Sequence, residues 1–509
     1  METSSGKAAL IVFGSKVYLL LVGVLFIPVL VRLLGPTRYG HLAIVLSVYG
    51  LLRIAMRYGT TEASRKYISE RSDPEWQAGV IRFVFTYATA IGLLTAAVFV
   101  LGAWSGIVAQ LFGREFTSLF YLLGIFTLAR QYRLHVVWTL MGLKQETWSE
   151  PLRIVEKTLY VGGTVVLVLA GFGVAGVLIA DIISSLVVAL VGSFGITRSV
   201  PWKAICRRSS IELPRRQMLI YSLSSIGFFL FLTSLYHVDV LLLQLWVPDD
   251  EVGFYRAALA IAEVLWVAPL AVQLVILQRV SHHWNEGNLE AIQHQATVST
   301  RYVFLFTMLL TVGMATLADA FVPFYLGPSF EPTVIPLLLL LPGVLGFAIA
   351  RPTLAINQGR RSLRPLILAT AGCSGINLIL NLLLIPPFGI VGAAIATSIG
   401  YGSLVFFQAL AARHLGYRPF SGLRYGQTVL TAAVTALVIV PLSRWFVDPI
   451  VLLTVIPPLG AVVYLVAAMM TGALRQDDLE RILDTIPEVP INIEHWAFVL
   501  FNQLPKIYR

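Results

Sequence analysis

Apolar positions in this chain gather in long uninterrupted runs, not at the spacing of a half-buried helix or an alternating strand. Phe83–Gly113, Thr158–Ala180, Pro332–Ala350, Tyr425–Ser443 and Pro449–Leu474 hold no Asp, Glu, Lys or Arg. About 20 such residues cross a bilayer core as a helix. Pro365–Ala412 is long enough for two crossings, with Ile385-Pro386-Pro387-Phe388-Gly389 as the turn between them. Counting runs with one or two ionisable residues, the pattern predicts helices near 8–31, 41–60, 82–104, 117–141, 153–170, 174–196, 217–246, 254–278, 301–319, 333–356, 365–385, 389–412, 425–444 and 450–471. That is an all-α polytopic membrane protein of about fourteen spans. Ala8–Val31 is too long for a signal-peptide core, carries Lys16, and runs into Arg32-Leu33-Leu34-Gly35-Pro36 with no small-residue cleavage site. It reads as the first span.

Short glycine motifs recur. Phe172-Gly173-Val174-Ala175-Gly176-Val177 precedes the sixth helix, and Phe388-Gly389-Ile390-Val391-Gly392-Ala393 precedes the twelfth. Met141-Gly142 closes the fourth helix, and Gln358-Gly359 closes the tenth. Gly35 to Gly40 leads into the second helix, and Val247 to Gly253 leads into the eighth at a similar offset. An even number of helices per unit keeps both copies in one orientation, so the expected architecture is a parallel repeat. Two six-helix bundles occupy 1–200 and 201–416, two further spans occupy 417–472, and a cytoplasmic amphipathic tail fills 473–509. In that tail, Leu479, Ile482, Leu483 and Ile486 share a helical face. The face suits the membrane interface or the protein's own loops.

Composition sharpens this picture. The chain is 57% hydrophobic and 13% charged, with mean hydropathy +0.81. Soluble domains run near 25% charged, so a soluble multidomain protein is excluded. The net charge of +10 would raise nucleic acid in a soluble chain. Here it follows topology: with the N-terminus inside, twenty Lys and Arg fall in inner loops, while outer loops hold Arg32, Arg38, Arg114 and Arg444. This positive-inside bias predicts a multi-pass protein of the cytoplasmic membrane with both termini cytoplasmic. No nucleic-acid partner is expected. Cys206 lies in a basic loop and Cys373 in an apolar run, which disfavours a disulfide between them and gives no metal spacing.

Candidate chemistry lies in the charges left inside the spans. Lys16, Arg53, Arg57, Arg130, Arg133, Lys157, Arg256 and Arg351 stand against Glu156, Asp181, Asp239 and Glu263. Such groups are costly in lipid and normally face a partner or a watery cavity. The positive excess predicts a lumen for an anion. Lys16, Arg53, Arg57, Arg130, Arg133 and Arg256 are the candidate substrate-binding cations. Glu156, Asp181, Asp239 and Glu263 are the candidate coupling-ion or ion-pair partners. Pairing of Arg130 and Arg133 with Glu156 or Asp181 competes with the cavity reading. Arg57, Lys157, Arg256, Arg351 and Asp239 lie near predicted ends, where a long side chain also reaches the interface. His237 shares the outer third of the seventh helix with Asp239. His282-His283 sits in a predicted loop without matching ligands, so no metal site and no cofactor are expected. There is no phosphate-binding P-loop motif for ATP.

The Lys16…Arg32-Leu33-Leu34-Gly35-Pro36-Thr37-Arg38-Tyr39-Gly40 segment resembles the "LLGPxxYG" approach to helix two in polysaccharide flippases. These belong to the multidrug/oligosaccharidyl-lipid/polysaccharide exporter superfamily. Gly389-Ile390-Val391-Gly392-Ala393-Ala394-Ile395-Ala396-Thr397 is similar to their "G-x-x-G-A-A-x-A-T" stretch, and Asn357-Gln358-Gly359 sits where they carry a polar helix end. The resemblance covers essentially the whole chain. It implies a transporter, not an enzyme, that moves a polyprenyl-(di)phosphate-linked oligosaccharide to the outer leaflet. Its partners would be the lipid bilayer, the lipid-linked glycan and glycan-assembly enzymes. It also implies cavity cations on the first, second and eighth helices, matched here by Lys16, Arg53 and Arg256. A cation or drug antiporter of the same superfamily remains as an alternative but calls for an acidic cavity. A membrane glycosyltransferase or polymerase calls for paired acids in a long outer loop.

Overall fold

The computed structural model describes residues 2–207, 213–360, 363–475 and 478. All secondary structure among them is helical. In chain order the helices are α1 (Glu2–Glu70), α2 (Pro74–Trp104), α3 (Ile107–Leu111), α4 (Phe116–Gly142), α5 (Glu146–Leu167), α6 (Gly173–Ser199), α7 (Trp202–Cys206) and α8 (Arg215–Leu243). There follow α9 (Asp249–Val264), α10 (Val267–Glu286), α11 (Leu289–Leu326), α12 (Val334–Gln358), α13 (Arg364–His414), α14 (Tyr425–Ser443) and α15 (Pro449–Met470). Nine stretches among the described residues are long and apolar enough to cross a membrane, or ten if the pair Asp249–Val264 and Val267–Leu277, bent by 53°, is one crossing. Large apolar side chains on their outer faces are exposed, Leu94 at 68% and Leu437 at 75%, as suits helices bathed in lipid. The amphipathic face expected over Leu479–Ile486 lies outside the described residues.

Three of the nine stretches are far longer than one crossing: Gly14–Ile54, Glu146–Ser199 and Arg364–His414. Each is broken by a glycine whose backbone no other residue adopts easily. Gly35 stands at φ 71, ψ 173 within α1. Gly171 (φ 93, ψ 1) and Gly173 (φ 51, ψ −129) end a π-helical turn between α5 and α6. Gly389 takes φ 53, ψ −132 within α13. Gly173 and Gly389, 216 positions apart, therefore share one unusual conformation. Asp73 and Asn288 cap α2 and α11, each accepting from backbone N–H groups of the first turn.

The chain divides into two compact units, 1–257 with 370–396, and 258–369 with 397–509. The first unit takes in α8, the first part of α9 and the middle of α13, residues 370–396. The core of the first unit closes around Trp76, Ile81, Val136, Leu140, Val188 and Ile196. In it, α1 and α9 meet backbone to backbone. A Cβ on Gly40 would strike the Asp249 carbonyl oxygen, and one on Gly253 would strike the Pro36 carbonyl oxygen. In the second unit, buried Asn357 joins two elements as a polar helix contact. Its Nδ2 donates to Gln408 Oε1 at 2.8 Å, and its Oδ1 accepts from Tyr417 Oη at 2.6 Å. Asp478 anchors the chain beyond α15 through Arg301 and through Arg424 at 3.0 Å. Burial alone would raise its carboxyl, but the Arg475 N–H, the two guanidiniums and the Tyr302 hydroxyl outweigh that and hold it below the ordinary range.

Candidate functional site

A cavity of about 240 Å³ lies within the first unit. Its main wall is one face of α1 beyond the Gly35 break, where Tyr39, Ala43, Leu46, Gly50 and Arg53 repeat at three and four residues. Ser47 and Tyr49 of α1, Arg130 of α4, Tyr160 of α5, His237 of α8 and Arg256 of α9 add to the polar lining. Gly50 is small because the His237 imidazole fills the space where a Cβ would stand. Three guanidiniums face this one space, and no carboxylate is among its described lining residues.

The guanidinium of Arg130 is held from behind. Its Nε and Nη2 donate to Asp181 Oδ1 and Oδ2 at 2.8 and 2.6 Å, the forked geometry only Arg provides. Ser185 Oγ adds a bond to the same carboxylate at 3.3 Å. Phe126 lies 4.4 Å and Tyr49 5.5 Å from the Arg130 Cζ, so aromatic faces cover what the carboxylate leaves. Arg133 Nη1 donates to Glu156 Oε2 at 2.9 Å and is not a lining residue.

Of the candidate cations, Arg53, Arg130 and Arg256 therefore come together at the cavity. Lys16 is exposed near the start of α1 and does not line it. The Arg57 side chain lies outside the described residues. Of the candidate acids, Asp181 and Glu156 form the ion pairs above. Asp239 is fully buried, accepting from the Val240 N–H at 2.8 Å and from the Tyr255 hydroxyl. Glu263 is partly buried in the second unit. Arg351 is buried, 7% exposed. It donates to Gln273 Oε1 at 2.8 Å and lies over Phe347. His282 stands in helix α10, paired with Glu286 one turn on at 3.1 Å.

Tyr39, Tyr49 and Tyr160 were not among the candidates. Aromatic residues inside apolar runs carry no contrast, and only the stripe from Tyr39 to Arg53 hints at them.

The apolar helices and the arginine-lined cavity among them define a polytopic membrane protein. Residues 29–335 match the family model described as polysaccharide biosynthesis protein, and the chain belongs to that family. It is similar to the probable low-salt glycan biosynthesis flippase Agl15 of Haloferax volcanii, 24% identical over 383 residues, covering 73% of this chain and 75% of that one. Its fold is that of the lipid II flippase MurJ in an inward closed conformation, with TM-score 0.70 at 16% identity, covering 91% of this chain and 97% of that one. An inward-facing multidrug resistance MATE family transporter of the MOP superfamily follows at TM-score 0.67 and 16% identity, covering 79% and 95%.

Proposed function

We propose that this chain moves a polyprenyl-(di)phosphate-linked oligosaccharide across the cytoplasmic membrane for surface glycan assembly, by alternating access through a cationic lumen. The observation that carries the reading is the convergence of Arg53, Arg130 and Arg256 on one membrane-embedded cavity without a lining carboxylate among the described residues. Guanidiniums bind phosphate oxygens with charge-assisted, often bidentate hydrogen bonds. At about 240 Å³ the cavity is below the usual drug-sized pocket. It suits a phosphate or diphosphate group, while the polyprenyl chain stays in lipid. Agl15 and MurJ are named as flippases, and no covalent chemistry is required. The cation or drug antiporter is disfavoured by the same arginines, which would repel its cargo.

The fourteen-span reading treats Gly14–Ile54, Glu146–Ser199 and Arg364–His414 as two crossings each, folded at their glycines, and adds α4 and the bent pair of α9 and α10 as one crossing each. The parallel repeat is supported by the matched Gly173 and Gly389 conformations. It is supported again by the reciprocal contact of Gly40 with Asp249 and Gly253 with Pro36, in which partners exchange at an offset of 213. A two-fold relation produces such exchange. The bundles at 1–200 and 201–416, the spans in 417–472 and the cytoplasmic termini belong to this proposal, as do contacts with glycan-assembly enzymes.

The test is reconstitution in vesicles with a labelled polyprenyl-diphosphate oligosaccharide. Arg53→Ala and Arg256→Ala should each slow translocation about tenfold or more, the scale of one lost charge-assisted bond. Unchanged rates in both, or transport of organic cations in place of the glycolipid, overturn the proposal.

A further inference from the structure

Away from the cavity, three segments remote in sequence bring metal-ligating side chains together. His41 on α1, Glu115 at the start of α4 and Asp249 at the start of α9 each offer one ligand atom, all within 4.8 Å of one another. His41 Nε2 lies 2.7 Å from Asp249 Oδ2. The surroundings fix this group. The Phe116 ring lies 4.8 Å from the imidazole and limits its tilt. The Asp249 backbone is pinned against Gly40, where no Cβ could stand. Gly113, at φ 107, leaves room for the Glu115 carboxylate to fold back over its own turn.

From this geometry we infer that His41, Glu115 and Asp249 bind a divalent transition-metal ion of the Zn²⁺ class, tying the bend of α1 to the starts of α4 and α9. One imidazole nitrogen with two carboxylate oxygens suits Zn²⁺ or Mn²⁺ and not Mg²⁺ or Ca²⁺, which take oxygen ligands. Three protein ligands leave a position for water. Ligand bonds of about 2.0–2.2 Å place the donors roughly 3.4 Å apart. His41 and Asp249 must part slightly and exposed Glu115 must swing inward, so the ion takes the place of the His41–Asp249 hydrogen bond. A simple His–Asp ion pair would need neither Glu115 nor the glycine turn that accommodates it.

The experiment titrates the full-length, chelator-treated protein in detergent with ZnCl₂ by calorimetry, with a melting curve at each end. One ion per chain and a raised melting temperature are expected. Glu115→Gln, which alters an exposed side chain, should weaken Zn²⁺ affinity by at least about tenfold and remove the thermal shift. Asp249→Asn should do the same, and so should His41→Gln. Should His41→Gln fail to fold, Glu115→Gln still decides the matter. Replacing His282 and His283 together by Ala should leave binding unchanged. Absence of Zn²⁺ binding by the native chain, undiminished affinity in Glu115→Gln, or loss of binding in the His282/His283 variant overturns the site.

Discussion

Arg130 is the residue at which structure and transport are hardest to separate, because one guanidinium both faces the cavity and holds a carboxylate. The two partners are not equally dry: the Arg130 side chain is 23% exposed and Asp181 is 7% exposed. Breaking a buried pair costs about 3–5 kcal/mol, chiefly because one charge is left without compensation. The cost should therefore depend on which partner goes. Arg130→Ala strands Asp181 among buried helices, with Ser185 alone still bonded to its carboxylate among the described residues. Asp181→Ala leaves Arg130 facing a polar cavity that hydrates it. Melting temperatures in detergent should fall further in Arg130→Ala than in Asp181→Ala, and the double variant should recover part of the loss. Equal losses would remove the asymmetry, and strictly additive losses would show that the two groups are not coupled. Arg133, one turn from Arg130, is bonded to Glu156 and is not among the residues that line the cavity.

At the scale of elements, glycines decide where the long helices bend and how closely they cross. Gly253 is one such case, since the atom in the way of a side chain is the backbone oxygen of Pro36, which cannot rotate aside. Gly253→Val should reduce the folded yield and lower the melting temperature by many degrees. Gly313→Ala, inside α11 with nothing within 4 Å, should be neutral or gain roughly 0.5–1 kcal/mol of helix propensity. Equal behaviour of the two by size-exclusion and thermal unfolding would remove the close crossing as a constraint. These elements were legible because glycine motifs punctuate otherwise apolar runs: Gly35, Gly173 and Gly389 mark the bends in both sequence and structure. The site was legible only in part. Arg53, Arg130 and Arg256 stand out as charges in apolar surroundings, whereas Tyr49 and Tyr160 do not. Whether a given charge lines the cavity depends on which helix face it occupies and on partners 23 or 51 positions away, as with Arg133 and Arg130. Lys16 shows the limit, a charge in an apolar run that stands exposed and does not line the cavity. The His41, Glu115 and Asp249 cluster had no spacing signal at all, since three separate elements assemble it.

For the molecule as a whole, the distribution of basic residues predicts an orientation, and orientation would give the proposed transport its direction. Lys and Arg concentrate in alternate loops because translocating them across the membrane is disfavoured. The densest group, Lys203, Arg207, Arg208, Arg215 and Arg216, surrounds Cys206. That thiol is exposed, while Cys373 is buried at 0% exposure. The native chain thus carries its own topological reporter, with no engineered cysteine needed. A membrane-impermeant maleimide should label inside-out vesicles strongly and intact cells only at background, and Cys206→Ser should abolish the signal in both. Labelling of intact cells at the level of inside-out vesicles would place the basic loop outside. The charge bias would then have failed as a guide to orientation. The arginine cavity would still favour an anionic cargo, because the sign of its charge does not depend on which leaflet it opens to first. What would change is the leaflet assigned to loading, and with it the expectation that the glycan is built on the cytoplasmic face before it crosses.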